Sequence, residues 1–599
     1  MSKKSSSGHD KIQFLKNFPK VHKQIKGVQR RALMHDEAVQ GSNIQELPTG
    51  TGKTAKGYTD LLAMQEFYGD GTYFYITPNK NLVDQIKATY KEFHVVYGRN
   101  EYDCLYYEEP QYKADQVPCS LLTDCYFRVD FDTGKTHEPG VTPCPYLHAK
   151  WKAKNKLIVC TMSFYLFTVF FSDQWGEING VVVDEAHKMP DVIRGALSYE
   201  ISNRQLENIV GFLKDHKLEG EKEVTGFQNL MKKAVTKHGK KYTLLSDQEI
   251  FSFIDQLTKI KKLNLEYKVS QAIRQNRIAD DQRDVIKKVE TLTRNLHKYI
   301  TSFEYSLDTN KRRALNYTYG YFDLDNKDPE NLDYSLHIRC YQVASIIKRI
   351  FPENKTFYLS ATIGDIDTFR LITGLNCPFF AHESEFPVSN TRIYLPTDIE
   401  NLSMAKAQKR SKPKTIRRIA RTCRLFADRG HRSLVLVVSD QERETFRMMA
   451  EEEKVLVVTY GEGLKPKDAV QLFKEGYGDV LLGTFAHYGE GIDLPDQMAP
   501  VTFALRPAYA PPGDPMALYE EHRYKNRKWR LWDAREMQRI LQARGRNIRS
   551  EKDKGVTFCM SKQYGNIVLK SLPKWLQPAY VHSKTFYDCV KDALALLDG

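Results

Sequence analysis

The chain has 599 residues, 41% of them hydrophobic, so it can bury several cores and is too long for a single one. Its net charge of +14 favours a polyanionic partner, most simply a nucleic acid. The most apolar run, 157–171, is too short to span a bilayer, and the polar N-terminus carries no secretory signal. We therefore expect a cytoplasmic or nucleoid-associated protein, neither secreted nor in a membrane.

The first informative segment reads Pro-Thr-Gly-Thr-Gly-Lys-Thr at 48–54, between a short apolar run and a helix-compatible one. It predicts a phosphate-binding loop, in which backbone N–H groups surround phosphate oxygens. Lys53 is expected to reach the β- and γ-phosphates and Thr54 to hold Mg²⁺. The generic pattern has Gly at position 47, where this chain has Leu47. The remaining nucleotide-binding candidates are Thr49, Gly50, Thr51 and Gly52.

An α/β pattern follows the loop. Tyr73–Ile76 is aromatic and β-branched and predicts a strand, and a helix is expected from Lys80 to Tyr90. Residues 101–150 then lack a clear period but carry four cysteines. The first part of the chain therefore predicts a βα unit followed by a segment with little core of its own.

The four cysteines of that segment are candidate metal ligands. Four thiolates can hold a [4Fe–4S] cluster or a structural zinc ion. Zinc sites usually show tight C-x₂-C pairs, which are missing here, so the irregular spacing favours a cluster; zinc and unliganded thiols stay open. The predicted cluster ligands are Cys104, Cys119, Cys125 and Cys144.

A second phosphate-related motif follows in 151–190. Val181–Val183 predicts a buried parallel strand, and Asp-Glu-Ala-His follows it at 184–187. Ligands bind at the carboxyl ends of strands in open α/β sheets. We expect Asp184 to hold Mg²⁺ through water, and Glu185 to orient and deprotonate the attacking water.

From about 190 to 335 the pattern becomes helical, with apolar stripes such as Leu206, Ile209 and Leu213. The longest stripe runs from Val285 to Tyr299. This pattern predicts a helical insertion between two halves of one α/β domain, whose sheet resumes near Thr356.

A second α/β unit begins near 390, with predicted buried strands at Ser433–Val438 and Asp479–Thr484. Near the chain end, Gln542, Arg546 and Arg549 stand at i, i+4 and i+7 and are expected to share a helical face. Guanidinium groups suit the charge on a γ-phosphoryl group in transfer. We therefore expect the second unit to complete a nucleotide site begun in the first.

The ordered motifs resemble those of a superfamily 2 helicase. They are PTGTGKT at 48–54, DEAH at 184–187, SAT at 360–362, GEGID at 489–493 and QARGRNIR at 542–549. Cysteines between the first two motifs, and a helical insertion between the second and third, resemble the XPD/DinG branch, some members of which serve phages or CRISPR effector complexes.

The resemblance implies an α/β fold of two RecA-like parallel-sheet domains, with an iron–sulfur insertion and a helical Arch insertion in the first. The expected boundaries are a flexible tail at 1–11, RecA-like domain 1 at 12–100, 151–190 and 336–389, an iron–sulfur domain at 101–150, an Arch domain at 191–335, and RecA-like domain 2 at 390–599.

The resemblance also implies an ATP-driven 5′→3′ DNA helicase that moves on single strands and unwinds duplexes. Its cofactors would be ATP, Mg²⁺ and a [4Fe–4S] cluster, and its partners single-stranded and forked DNA, with the chain acting as a monomer. Gln542, Arg546 and Arg549 would sense the γ-phosphate. The other implied contacts are Asp493 near the ribose, Gln29 beside the adenine, and Thr77, Ser439 and Thr484 on the DNA backbone.

Two alternatives stay open. One is an RNA helicase of the DEAH-box kind, although the motif at 542–549 lacks that group's usual ending. The other is an ATP-switched DNA-binding subunit of a nucleoprotein complex, such as a CRISPR effector. Strand displacement by the isolated protein separates these cases, because a switch would hydrolyse ATP without unwinding.

Overall fold

A computed structural model describes the chain from residue 11 to residue 599 with gaps. The gaps are 23, 107–111, 118, 120–124, 137, 171, 239–242, 276, 279–285, 292–295, 297–299, 301–317, 326–332, 403–409, 490–491, 493, 495–496, 512, 546–547 and 549. The predicted flexible tail, 1–11, lies almost wholly outside the described residues.

The first sheet has seven parallel strands in the order β11-β1-β10-β5-β2-β4-β3. The central strands are buried on both faces, as expected when helices cover a parallel sheet on both sides. The strands are β1 Asn43–Glu46, β2 Thr72–Thr77, β3 His94–Val95, β4 Leu157–Thr161, β5 Ile178–Val183, β10 Thr356–Ser360 and β11 Phe379–Ala381.

Alternating side chains of these strands enter two separate cores. Phe74 and Ile76 pack on one face, whereas Tyr73 and Tyr75 pack on the other, because successive strand residues point to opposite faces. The covering helices are α1 Gly27–Val39, α2 Lys53–Tyr68, α3 Lys80–Thr89, α4 Pro145–Ala153, α5 Met162–Phe170, α6 Met189–Ala196, α11 Ala344–Ile350 and α12 Ile366–Thr373.

The segment between β5 and β10 forms a further core, in which the predicted stripe Leu206, Ile209 and Leu213 is buried. Its helices are α7 Asn203–Asp215, α8 Glu221–His238, α9 Asp247–Lys262 and α10 Leu265–Arg274. The structure adds an antiparallel sheet in the order β6-β9-β8-β7, formed by β6 Tyr199–Ser202, β7 Thr243–Leu244, β8 Thr318–Asp325 and β9 Asp333–Cys340. The predicted stripe from Val285 to Tyr299 falls partly outside the described residues.

The second sheet also has seven parallel strands, in the order β14-β15-β13-β16-β17-β12-β18. They are β12 Thr391–Tyr394, β13 Ser433–Val437, β14 Val457–Thr459, β15 Val480–Thr484, β16 Val501–Ala504, β17 Gly555–Cys559 and β18 Tyr580–Val581. Its helices are α13 Ser411–Ala427, α14 Asp440–Glu452, α15 Pro466–Lys474, α16 Phe485–Tyr488, α17 Pro515–Tyr524, α18 Lys528–Arg544, α19 Tyr564–Ser571 and α20 Phe586–Asp598.

Two parallel sheets with an insertion in the first confirm the predicted fold class, while the domain boundaries remain a prediction. The sheet resumes after the insertion, since β10 pairs with β1 in parallel from Asn43 opposite Phe357. Six short 3₁₀ helices lie at Leu15–Asn17, Arg99–Glu101, Ala186–Lys188, Val388–Asn390, Lys525–Arg527 and Lys574–Ala579 of the described chain. A search of the described helices finds none with the length and apolar character to cross a membrane.

Candidate active site

The predicted phosphate loop joins β1 to α2 and depends on two glycines with positive φ. Gly50 has φ 78° and Gly52 has φ 82°, a region that side chains disfavour. A Cβ on Gly52 would lie 2.3 Å from Gln29 Nε2. The Thr51 hydroxyl donates to Pro48 O at 2.7 Å and closes the turn. The loop therefore has the backbone freedom that a phosphate cradle requires.

Lys53 and Glu185 face each other across the end of the first sheet. Lys53 Nζ lies 3.5 Å from Glu185 Oε1, and both side chains are largely buried. Burial alone would raise the pKa of Glu185, but Lys53 and His187 outweigh it and lower the pKa. Glu185 has φ 50°, a strained conformation for a residue with a side chain. The pair thus keeps the Glu185 carboxylate ionised beside the predicted phosphate position.

Asp184, Thr54 and Tyr75 converge next to this pair. Asp184 Oδ1 accepts from Glu185 N at 2.9 Å, and the Tyr75 hydroxyl donates to Asp184 Oδ2 at 3.4 Å. The Thr54 side chain also interacts with Tyr75. Burial and the nearby Glu185 raise the pKa of Asp184. These oxygen donors fit Mg²⁺ chemistry, so Asp184 and Thr54 would hold the ion.

Tyr75 is a site residue that the sequence reasoning missed, because its strand pattern indicated only a buried β-strand. The alternation of side chains along β2 could have shown that Tyr75 lies on the same face as α2. Its role as a partner of Asp184 depends on the neighbouring strand β5, which pairs with β2.

Helix α18, which packs on the second sheet, reaches into this site. Gln542 Nε2 lies 2.5 Å from His187 Nε2 and 3.4 Å from Thr362 Oγ1. His187 Nδ1 in turn lies 2.7 Å from Ser360 Oγ. With the Gln542 amide as donor, His187 accepts at Nε2 and donates from Nδ1. The acidic motif, the SAT segment and α18 therefore form one connected network.

The two predicted arginines lie outside the described residues. Helix α18 ends at Arg544, before Arg546 and Arg549, and Asp493 is likewise not among the described residues. A Cβ on Gly545 would lie 3.6 Å from Thr49 Cγ2, so the end of α18 packs against the phosphate loop. The contribution of the two arginines therefore remains a prediction.

A cavity of about 410 Å³ adjoins the phosphate loop at Gly52 and Thr54. Gln29 lines it, with Oε1 accepting from Lys26 N at 2.9 Å and Nε2 donating to Gly52 O at 3.1 Å. Other residues that line it, none of them predicted from the sequence, include His22, Gln85, Thr89 and Tyr90. This cavity has the position and size for a nucleobase.

The three residues predicted to contact a nucleic-acid backbone lie at carboxyl ends of parallel strands. Thr77 is buried and its hydroxyl donates to Asn79 O at 2.8 Å. Ser439 caps α14 by accepting from Glu442 N at 3.3 Å. Thr484 contacts His487 and Tyr460 rather than solvent. Their roles remain predictions.

The four predicted cluster ligands lie near one another. Cys119 interacts electrostatically with Cys104 and Cys144, and Cys125 does so with Cys144 and Cys104. Burial raises the pKa of Cys119 and Cys125, with smaller contributions from the neighbouring thiols. Four cysteines in one small segment match the donor set of an iron–sulfur cluster. Within the described ranges, however, no three His, Cys, Asp or Glu side chains are arranged to hold a metal ion.

The cysteine segment also contacts its surroundings. Arg99 donates from Nη2 to Val117 O at 3.2 Å, and Lys287 of the inserted helical body donates to the same oxygen at 3.2 Å. Within the segment, Cys144 N donates to Phe127 O at 2.7 Å. The segment therefore contacts the 3₁₀ helix Arg99–Glu101, which follows β3, and also the helical insertion.

Two family matches cover the two ends of the chain. Residues 17–218 match the family described as type III restriction enzyme, res subunit, and residues 422–579 match the helicase C-terminal domain family. No curated protein matches the chain by sequence.

Solved structures share the fold at low sequence identity. An XPD helicase structure superposes with a TM-score of 0.58 at 14% identity, over 94% of this chain and 100% of that one. Xpd4 of S. tokodaii gives 0.55 at 13% identity, over 91% and 97%. The family matches and this fold support an ATP-dependent nucleic-acid helicase, as the sequence predicted in outline.

Proposed function

We propose that this chain, an XPD/DinG-like superfamily 2 helicase, uses ATP to move 5′→3′ along single-stranded DNA and to unwind duplexes. Lys53 would bind the β- and γ-phosphates, and Asp184 and Thr54 would hold Mg²⁺. Glu185 would take the proton of the attacking water. The base would enter the cavity beside Gln29. The direction of movement and the choice of DNA rest on the resemblance to the XPD/DinG branch.

The observation that carries this proposal is the contact between Gln542 and His187, at 2.5 Å and across 355 positions of sequence. His187 Nδ1 also lies 3.4 Å from Glu185 Oε2. Gln542, from a helix that packs on the second sheet, is therefore connected to the predicted catalytic carboxylate through the His187 side chain. A change at the γ-phosphate would therefore alter how the two RecA-like domains meet. Cycles of ATP binding and hydrolysis would then make the two RecA-like domains grip the DNA strand alternately.

We also propose that Cys104, Cys119, Cys125 and Cys144 hold a [4Fe–4S] cluster. The cluster would stiffen a segment with little core, since the one hydrophobic cluster among its described residues has only Cys104 and Val117 as buried members. The contact of Lys287 with Val117 O would connect this segment to the Arch insertion. Together they would form a rigid edge against which a duplex can be split.

The testing experiment is strand displacement by anaerobically purified protein on duplexes with a 5′ or a 3′ tail. Unwinding of the 5′-tailed DNA, dependent on ATP and Mg²⁺, is expected. Unwinding that requires the 3′ tail would reverse the proposed direction. Displacement of RNA but not DNA would favour an RNA helicase. ATP hydrolysis without any displacement would favour a switch subunit of a nucleoprotein complex.

A further inference from the structure

The hydroxyl of Thr484, the last residue of β15, is held between two aromatic side chains. Its Oγ1 lies 2.9 Å from His487 Nδ1 and 3.2 Å from the Tyr460 hydroxyl. Thr484 is 7% exposed, whereas His487 is exposed. A nucleic-acid strand that approaches the carboxyl end of β15 therefore meets the imidazole of His487 before it meets the hydroxyl of Thr484.

Tyr460 is itself anchored. The Arg443 guanidinium lies 4.1 Å from the centre of the Tyr460 ring, and Nη1 donates to Tyr460 O at 2.6 Å. The centre of the His487 ring also lies 4.4 Å from the centre of the Tyr460 ring. Asp440 is 3.5 Å from Arg443 Nε and offsets part of its charge. Because these contacts exist before any ligand binds, little side-chain freedom is lost on binding.

We propose that His487 binds a phosphate of the single strand, with Thr484 and Tyr460 as its positioning residues. The inference rests on the proposed function and assigns to His487 a contact expected of Thr484. A hydroxyl relay that runs from Tyr460 through Thr484 to Nδ1 leaves the imidazole proton on Nε2. Nε2–H is then a donor for a phosphate oxygen at the exposed edge.

The relay can be tested by two substitutions that separate the ring nitrogens. Glutamine places its amide nitrogen near the position of Nε2, whereas asparagine places it near Nδ1. We expect His487→Asn to weaken binding of a fluorescent oligothymidylate by about ten-fold, the loss of one hydrogen bond to a charged group. The affinity of His487→Gln should stay within about two-fold of wild type, because its amide can still donate the hydrogen bond to the phosphate. Thr484→Val, which breaks the relay, should also weaken binding.

The matched control is His582→Ala, because His582 is also exposed and stacks on a tyrosine, Tyr580, with ring centres 4.7 Å apart. His582 follows β18, the strand at the far side of the same sheet from β15. The His582→Ala variant should therefore leave oligonucleotide binding unchanged. Thermal unfolding midpoints equal to wild type show that each variant folds. Equal losses of oligonucleotide binding for His487→Gln and His487→Asn, or no loss for either, would overturn the proposed His487 contact but leave the proposed function standing. A wild-type chain that does not bind the oligonucleotide overturns the proposed function and this contact together.

Discussion

Among single residues, Lys53 has the most direct predicted role in ATP hydrolysis. We expect Lys53→Ala to lower ATP hydrolysis at least about 100-fold, because the variant loses the charge that faces the transferred phosphoryl group. Binding to single-stranded DNA should persist, since Lys53 belongs to the phosphate loop and is not among the predicted contacts with the DNA backbone. Phosphate release and fluorescence anisotropy measure the two properties.

Lys16→Ala is the control for Lys53, because Lys16 is exposed and pairs only with the exposed Glu66 among the described residues. It should leave both properties unchanged. Substantial hydrolysis by Lys53→Ala would show that the nucleotide site lies elsewhere.

Glu46, at the end of β1, makes stability depend on pH. It is 6% exposed, and its Oε2 accepts from Gly364 N at 2.8 Å. Burial raises its pKa from 4.5 to about 7, against the opposing effect of the backbone hydrogen bonds from Gly364 and Ile363. The folded chain therefore binds this proton more tightly than the unfolded chain, so the stability contributed by Glu46 falls between about pH 4.5 and pH 7.

Glu46→Gln keeps an oxygen acceptor for Gly364 and removes the buried charge. We expect it to stabilise the protein above pH 7 by at most about 3 kcal/mol and to flatten the pH dependence below it. Thermal midpoints measured across this range test the prediction. A variant whose midpoints follow the wild-type pH profile would show that Glu46 does not titrate in this window.

At the scale of elements, α2 is tied to its neighbours by a buried charge cluster. Lys56 Nζ lies 2.7 Å from Asp60 Oδ2 and 2.9 Å from Asp36 Oδ2, and all three side chains are 0% exposed. Asn43 and Gln45 of β1 each donate to Asp36 Oδ1 at 2.8 Å. The cluster therefore joins α2, which begins at Lys53, to α1 and to β1.

The cluster has one ammonium for two carboxyl groups. Burial raises the pKa of Asp36 and that of Asp60, so we expect the two carboxyls to share one proton. Lys56→Met should then destabilise the protein by about 3–5 kcal/mol, because it leaves buried charge without a partner. Asp60→Asn should cost less, since an amide resembles a protonated carboxyl. Urea unfolding of the two variants compares them, and a larger loss for Asp60→Asn would contradict the shared proton.

At the scale of the whole molecule, the cysteine segment should matter for unwinding more than for hydrolysis. It lies outside the nucleotide network and contacts the Arch insertion through Lys287. We expect Cys125→Ser to lower the iron content and to reduce strand displacement at least about ten-fold, because loss of a direct ligand should cost no less than the about ten-fold loss seen when a hydrogen-bond partner of a ligand is removed. ATP hydrolysis stimulated by single-stranded DNA should stay close to that of the wild type.

Cys377→Ser is the control for this prediction, because Cys377 is a half-buried thiol beside the first sheet and outside the cysteine segment. It should change neither iron content nor displacement. Iron-free wild-type protein that unwinds normally would remove the cluster from the mechanism.

The phosphate loop, the acidic motif and the parallel sheets could be predicted because each rests on local chemistry. A phosphate loop needs glycines at fixed spacing, and a buried parallel strand needs an apolar run, so both are visible within a few residues. The same reasoning selected Lys53, Asp184, Glu185 and Gln542, which the structure brings close together, while their roles remain predictions. It also grouped the four cysteines, whose proximity the structure shows.

The partnerships within the site depended on tertiary structure. Tyr75 meets Asp184 only because β2 and β5 are neighbours, and the antiparallel sheet of the insertion pairs β6 with the distant β9. Such contacts join residues far apart in the chain, and no period or spacing in the sequence specifies them. The sequence alone determined which groups could perform the chemistry, whereas the fold decided which of them touch, because contact is set by how the sheets and helices pack.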